Sequence, residues 1–309
     1  MNEKTFKPDL SVNLAGIALD NPILAASGPF GYGHEYRELI DFKDLGGIIV
    51  KGISPEPWAG NPPPRVTETP SGMLNAIGLQ NPGLEKFLAE DLPQLRGSGP
   101  RLVVNVVGCS LEEYAEVASG LEGAEGIDGL ELNISCPNVK AGGMAFGTDP
   151  DATRRVVEAV RRRTGLPLLV KLSPNVTSIV AIARAAEAAG ADGISLINTL
   201  GGMLIDTGQK KPLLGNVFGG LSGPAIMPVA LKMVWEVAGA VKIPVLGMGG
   251  ITSADDALQF IMAGARAVAI GTGLFYDPDL PAQIKTGLIE YLKQENLTHL
   301  GQLEGAARR

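Results

Sequence analysis

A thiol and two carboxamides are packed into the stretch Asn133-Ile134-Ser135-Cys136-Pro137-Asn138. A thiol serves as a base or a nucleophile. Carboxamides both donate and accept hydrogen bonds, which suits a flat heterocycle carrying alternating C=O and N–H groups. Leu130, Leu132 and Ile134 make the approach to this stretch a short apolar strand, and Pro137, which has no N–H, ends its pairing. A lone cysteine is more often a small buried hydrophobe. The Pro-Asn pair and the glycine-rich Ala141-Gly142-Gly143 tail set Cys136 instead at the base of a loop reaching to about Thr148, a poor place to bury a thiol.

The elements that must hold these groups recur along the chain. A helix-like segment ends in glycine, an apolar run follows, and a polar residue closes it. This unit appears at Gly46-Gly47-Ile48-Ile49-Val50-Lys51, Gly129-Leu130-Glu131-Leu132-Asn133, Gly193-Ile194-Ser195-Leu196-Ile197-Asn198 and Ala267-Val268-Ala269-Ile270-Gly271. Glycine past a helix end is a left-handed cap, and the apolar run reads as a buried parallel strand. Eight such strands are expected, near 23–27, 47–51, 102–107, 129–134, 168–172, 193–198, 244–248 and 267–271, with helices between them. Ser110, Asp149-Pro150 and Ser253 mark three helix starts. Eight βα units predict an α/β fold, a (β/α)8 TIM barrel. An open doubly wound sheet is the alternative, but no GxGxxG follows the first strand. Residues 8–20 alternate and turn at Gly16, predicting an N-terminal β-hairpin at the barrel bottom. No linker divides the chain, so residues 1–309 are expected to form one domain.

In such barrels chemistry gathers at the C-terminal strand ends. Those ends carry Ser27, Lys51, Asn105, Asn133, Lys171, Asn198-Thr199, Gly249-Gly250 and Gly271-Thr272, an uncharged or cationic set. The last two strand ends, with Gly223, suit a phosphate bound through backbone N–H groups, on a cofactor or on a sugar phosphate. A lysine inside a strand pattern must be paired or bound to ligand. Lys171 fits either a Schiff base or a fixed cation facing a carboxylate or a reduced flavin; two lysines beside a cysteine favour the cation. The long segment after the second strand presents Asn75 and the backbone around Gly78 to a polar, planar ligand.

The 309 residues are 45% hydrophobic with a formal net charge of −7, which argues against nucleic-acid binding. No apolar run reaches membrane-spanning length, and the start lacks a signal peptide. Cys109 and Cys136 form no disulfide framework, so a reducing cytoplasm is expected. His34 and His299 show no metal-ligand spacing, and no metal is expected.

The motifs Asn133-Ile134-Ser135-Cys136-Pro137-Asn138, Asn75-Ala76-Ile77-Gly78-Leu79, Val170-Lys171-Leu172-Ser173-Pro174, Ile197-Asn198-Thr199 and Gly247-Met248-Gly249-Gly250 occur in an order that resembles class 1 dihydroorotate dehydrogenase. The likeness spans residues 8–290 and is greatest to the FMN-containing catalytic subunit of class 1B. It implies FMN held by Ser27, Lys51, Gly52, Asn105, Asn133, Lys171, Ile197, Gly223, Gly249, Gly250, Gly271 and Thr272. It implies dihydroorotate held by Lys51, Asn75, Ala76, Ile77, Gly78, Leu79, Asn133, Asn138, Asn198 and Thr199, with Cys136 as catalytic base. It also implies a partner subunit carrying FAD and a [2Fe-2S] cluster that passes electrons to NAD+, around a homodimer core within a heterotetramer. The chain itself has neither a CxxC set nor a dinucleotide fingerprint. A phosphate-binding aldolase or isomerase and a dihydropyrimidine or dihydrouridine reductase are the rival readings. The negative charge speaks against the last, which would need a basic surface for RNA.

Overall fold

Eight short parallel strands close on themselves in the computed structural model, which describes residues 7–135 and 146–308. The barrel strands, numbered in chain order, are β1 (Ile23–Ala25), β2 (Gly47–Ile53), β3 (Arg101–Val106), β4 (Gly129–Asn133), β5 (Leu168–Leu172), β6 (Gly193–Leu196), β7 (Val245–Met248) and β8 (Ala267–Ile270). Each pairs with the next, and β8 returns to β1 with Val268 opposite Ile23. The fold is the expected (β/α)8 barrel. Parallel strands covered by helices outside and filled by side chains inside must be apolar on both faces. Ile49, Val50, Val103, Val104, Leu168, Leu169 and Val170 are accordingly all fully buried.

The helices begin where the sequence places them. Helix α1 (Leu111–Leu121) is capped by the Ser110 hydroxyl, which accepts from the Glu113 N–H at 3.2 Å. Ser110 and Glu113 have the spacing of a capping box, but the Glu113 carboxylate accepts from the Cys109 N–H at 2.6 Å, one residue outside the usual target. Helix α2 (Pro150–Arg161) starts with Asp149 accepting from Ala152 N–H at 2.8 Å and proline in the first turn. Helices α3 (Ile179–Ala188), α4 (Met227–Ala238), α5 (Ala254–Met262) and α6 (Leu280–Gln294), with a helical run over residues 84–95 between β2 and β3, complete the outer ring. No such helix lies between β1 and β2. The glycines and proline of Gly28-Pro29-Phe30-Gly31-Tyr32-Gly33 reduce that connection to short turns, with Phe30 stacked on Tyr36 at 4.9 Å.

The N-terminal hairpin, Val12–Leu14 against Ile17–Leu19, lies under the barrel as expected. Arg101, at the start of β3, donates to the Ala18 carbonyl at 3.0 Å. One continuous buried core runs from Leu10 to Leu303. Among the described residues no helix is long and apolar enough to cross a membrane.

Sequence reading leaves one layer out. The segments after β2 and β6 are not plain loops. Val66–Thr69, Gly72–Asn75, Gly219–Ser222 and Leu200–Gly202 build a four-stranded antiparallel sheet over the mouth of the barrel. A small separate core of Leu74, Ala76 and Leu214 lies beneath it.

Candidate active site

Asn105, Asn133 and Asn198 come from the ends of β3, β4 and β6, and the barrel's register brings them into a row. Asn133 Nδ2 donates to Asn105 Oδ1 at 3.4 Å, and Asn198 Nδ2 donates to Asn133 Oδ1 at 3.4 Å. Asn198 Oδ1 in turn accepts from the Thr199 N–H at 2.8 Å. Asn105 and Asn133 are buried. A run of carboxamides at a barrel mouth can present alternating donors and acceptors to a polar ring. The Ser135 hydroxyl, just beyond, is buried and has no hydrogen-bond partner among the described residues.

The two lysines sit differently. Lys171, on β5 opposite Asn133, is buried, and its Nζ lies 3.5 Å from Glu131 Oε1. Lys51, on β2, is partly exposed. Burial pushes its ammonium below the ordinary lysine range, and the like charge of Arg65 pushes it further; Glu35 opposes both. Two cations near one another at a mouth favour an anionic ligand. Gly52 follows Lys51, and a side chain there would meet Asn105 Oδ1 at 3.0 Å.

Three glycine turns converge on one side of the mouth. A side chain on Gly250 would come within 2.8 Å of the Gly223 carbonyl. The Thr272 hydroxyl donates to Ser222 Oγ at 2.8 Å, which ties the turn after β8 to the Ser222-Gly223 turn. Ile197 lies against Gly249, and its N–H donates to the Met248 carbonyl at 2.9 Å. Gly271 lies beside Ala26, the residue before buried Ser27. Gly223 directly precedes the short turn that opens α4, a helix start suited to an anion.

The cap sheet supplies the opposite wall. Asn75 pairs with Gly220, and its Nδ2 donates to the Gly220 carbonyl at 3.4 Å. The Ala76 N–H donates to the Arg65 carbonyl, and the Ile77 carbonyl accepts from the Asn61 N–H, fixing the backbone through Gly78 and Leu79. A Cβ on Gly220 would fall 2.0 Å from Thr199 Oγ1, so Thr199 packs directly against the strand that pairs with Asn75. Cys136 and Asn138 lie outside the described residues, as do Ala141, Gly142 and Gly143.

Five residues of this site carry no role in the sequence reading. They are Glu131, Ser195, Arg65, Asn175 and Ser222. Asn175 clamps the segment after β6, donating to the Thr199 carbonyl at 3.0 Å and accepting from Gly201 N–H at 2.9 Å. Glu131 had a visible signal. It is a charged residue in step with Asn133 inside an otherwise apolar strand.

The family model for dihydroorotate dehydrogenase matches residues 9–292. The chain belongs to the dihydroorotate dehydrogenase family. It is 55% identical over 300 residues to the protein from Geotalea uraniireducens (strain Rf4) named dihydroorotate dehydrogenase B (NAD(+)), catalytic subunit, covering 97% of this chain and 98% of that one. The proteins of the same name from Alkaliphilus metalliredigens (strain QYMF) and Desulforudis audaxviator (strain MP104C) are each 52% identical. These cover 97% and 98% of this chain and 99% of each relative. The family resemblance read from the motifs at Asn75, Asn133, Lys171, Asn198 and Gly249 is therefore correct, and it extends to the NAD(+)-linked catalytic subunits.

Proposed function

We propose that this chain, as one barrel domain, oxidises (S)-dihydroorotate to orotate in pyrimidine (UMP) synthesis, with FMN as its cofactor. The observation that carries this reading is the carboxamide row, Asn105–Asn133–Asn198, facing the same barrel mouth as the three converging glycine turns. The donor set fits FMN. Gly223, Gly249, Gly250, Gly271 and Thr272 would hold the phosphate, and Ser27, Gly52, Asn105, Asn133, Lys171 and Ile197 would surround the ring. FMN, when bound, supplies the acceptor for the hydride that leaves C6 of the substrate.

The remaining work falls to side chains. Lys51 receives the substrate carboxylate, an anion that relieves its repulsion from Arg65. Asn133, Asn138, Asn198, Thr199 and the Asn75–Leu79 segment bind the pyrimidine ring. Cys136 removes the proton from C5. Lys171 places a positive charge where negative charge accumulates on the ring system.

Anaerobic addition of dihydroorotate to the FMN-loaded chain should bleach the flavin absorbance. No bleaching would exclude the reading, and a colourless protein that forms an imine at Lys171 would favour the aldolase alternative.

The chain is also half of an electron-transfer system. A partner subunit carrying FAD and a [2Fe-2S] cluster passes electrons to NAD+, around a homodimer core in a cytoplasmic heterotetramer. The support is the relatives' name, catalytic subunit, together with the absence of cluster-ligand and dinucleotide motifs in this sequence. The purified chain should reduce artificial dyes with dihydroorotate but form no NADH from NAD+. Rapid NADH formation without a second polypeptide would overturn the partner.

Gly220 offers a separate check on the substrate wall. Valine there must displace Thr199, because its Cβ would meet Thr199 Oγ1 at 2.0 Å. The KM for dihydroorotate should rise about tenfold, the worth of roughly one good hydrogen bond, while FMN content stays at the wild-type level. Steady-state kinetics on variants of matched flavin content would show it.

A further inference from the structure

Glu131 is fully buried inside the barrel, on β4 two residues below Asn133 and on the same face. Its carboxylate touches three neighbouring strands. Oε1 accepts from Asn105 Nδ2 on β3 at 2.6 Å and lies 3.5 Å from Lys171 Nζ on β5; Oε2 accepts from Ser195 Oγ on β6 at 2.8 Å. No role in binding or chemistry given above uses it.

A carboxylate can only accept. Asn105 must therefore turn its NH2 toward Glu131 and its oxygen toward Asn133. That oxygen takes the Asn133 NH2, which leaves the Asn133 oxygen for the Asn198 NH2, and the Asn198 oxygen for the Thr199 N–H. Four hydrogen bonds run head to tail from Thr199 down to Glu131, all with one polarity. A carboxamide is nearly symmetric in shape, so nothing in the packing of three asparagines alone fixes which end is donor. Backbone N–H groups, of Thr199 on the Asn198 oxygen and of Ser135 on the Asn133 oxygen at 3.3 Å, hold the outer part of the row; among the described residues Glu131 is the acceptor-only side chain that holds its buried end, at Asn105.

We propose that Glu131 is a positioning residue that anchors the buried end of the carboxamide row offered to the pyrimidine ring, holding Asn105 with its oxygen toward Asn133, and that balances the charge of Lys171 beside the flavin. This rests on the FMN and dihydroorotate reading of the site. It predicts two effects of Glu131→Gln, which keeps size but can donate as well as accept. Asn105 loses its acceptor-only anchor and with it the fixed acceptor for Asn133, so orotate binds about tenfold more weakly. Lys171 loses its counter-charge, so its field on the flavin grows. The two-electron equilibrium of the bound flavin should then shift about tenfold toward the reduced form, or about 30 mV in potential.

The experiment measures FMN affinity, flavin potential with a reference dye, and orotate affinity from the perturbed flavin spectrum, in the wild type, Glu131→Gln, Lys171→Met and the double variant. Support is a raised potential in Glu131→Gln that vanishes when Lys171→Met is the background, with weaker orotate binding in both backgrounds. A folded Glu131→Gln protein with wild-type potential and wild-type orotate affinity would overturn the proposal, even if its melting temperature fell. Should Glu131→Gln alone fail to fold, the double variant removes both buried charges together. Orotate affinity equal in Lys171→Met and the double variant would then refute the anchoring role. A wild-type chain that takes up no FMN would tell against the cofactor reading, whereas wild-type uptake with an unaffected variant tells against Glu131.

Discussion

Replacing Cys136 with alanine should slow flavin reduction by dihydroorotate by about 10²–10⁴-fold, the usual worth of a positioned acid–base group. FMN affinity should be unchanged, because no glycine turn or carboxamide is altered. A free thiol titrates near ~8.5, so in the wild type only a small fraction is thiolate at neutral pH. The rate of reduction should therefore rise with pH as the thiol loses its proton, and level off above its pKa. The alanine variant should lose that rise. Serine in the same place should restore part of the rate only at higher pH, since its hydroxyl is the weaker acid. Stopped-flow absorbance of the flavin across pH gives all three results. An alanine variant as fast as the wild type would remove Cys136 from the mechanism and return it to the role of a small buried hydrophobe.

Gly250→Leu should weaken FMN binding by at least about 100-fold, or ~2.7 kcal/mol. From sequence alone the expected cause is a side chain filling the phosphate position. The structure gives a different cause. The Cβ would point at Met227 Cβ (2.7 Å) and the Gly223 carbonyl (2.8 Å), at a backbone φ of +79° that only glycine holds without strain. The leucine would force apart the turn after β7 and the start of α4, so the cradle opens without being filled. Fluorescence titration of the apoprotein with FMN measures the loss, and far-UV circular dichroism separates it from unfolding. Retained affinity in the folded variant would mean the three turns do not act as one cradle.

The barrel and its strand-end chemistry were legible because each depends on local pattern. Glycine caps, apolar runs and a polar closing residue repeat at four of the eight strands, enough to set the period, and in a barrel the end of a strand is the site. The cap sheet was not legible. Its strands are short, two of them rich in glycine, and Gly219-Gly220-Leu221-Ser222 has no alternation to announce pairing. Arg65 and Asn175 escaped for a related reason. Each acts on a residue far along the chain, Asn175 on Thr199 and Arg65 on Lys51, and no spacing rule joins them. Glu131 stood in plain view between Leu130 and Leu132. Its meaning emerges only when three neighbouring strands each turn a polar side chain toward it. The thiol that opened the argument remains a matter of sequence, since the described residues stop at Ser135 and resume at Phe146.

The sheet over the mouth joins two segments that are strangers in sequence: Gly72–Asn75 pairs with Gly219–Ser222 along a shared edge. Asn75 answers to Gly220, and Gly220 is kept bare by Thr199. The two stretches thus form one unit of inheritance. A change of substrate preference that enlarges a side chain on one must be matched on the other in the same lineage. A chimera that borrows only one stretch from a distant relative would bring an edge cut for a different neighbour. Exchanged together, they could travel between barrels as a cassette, leaving the cofactor's end of the mouth untouched.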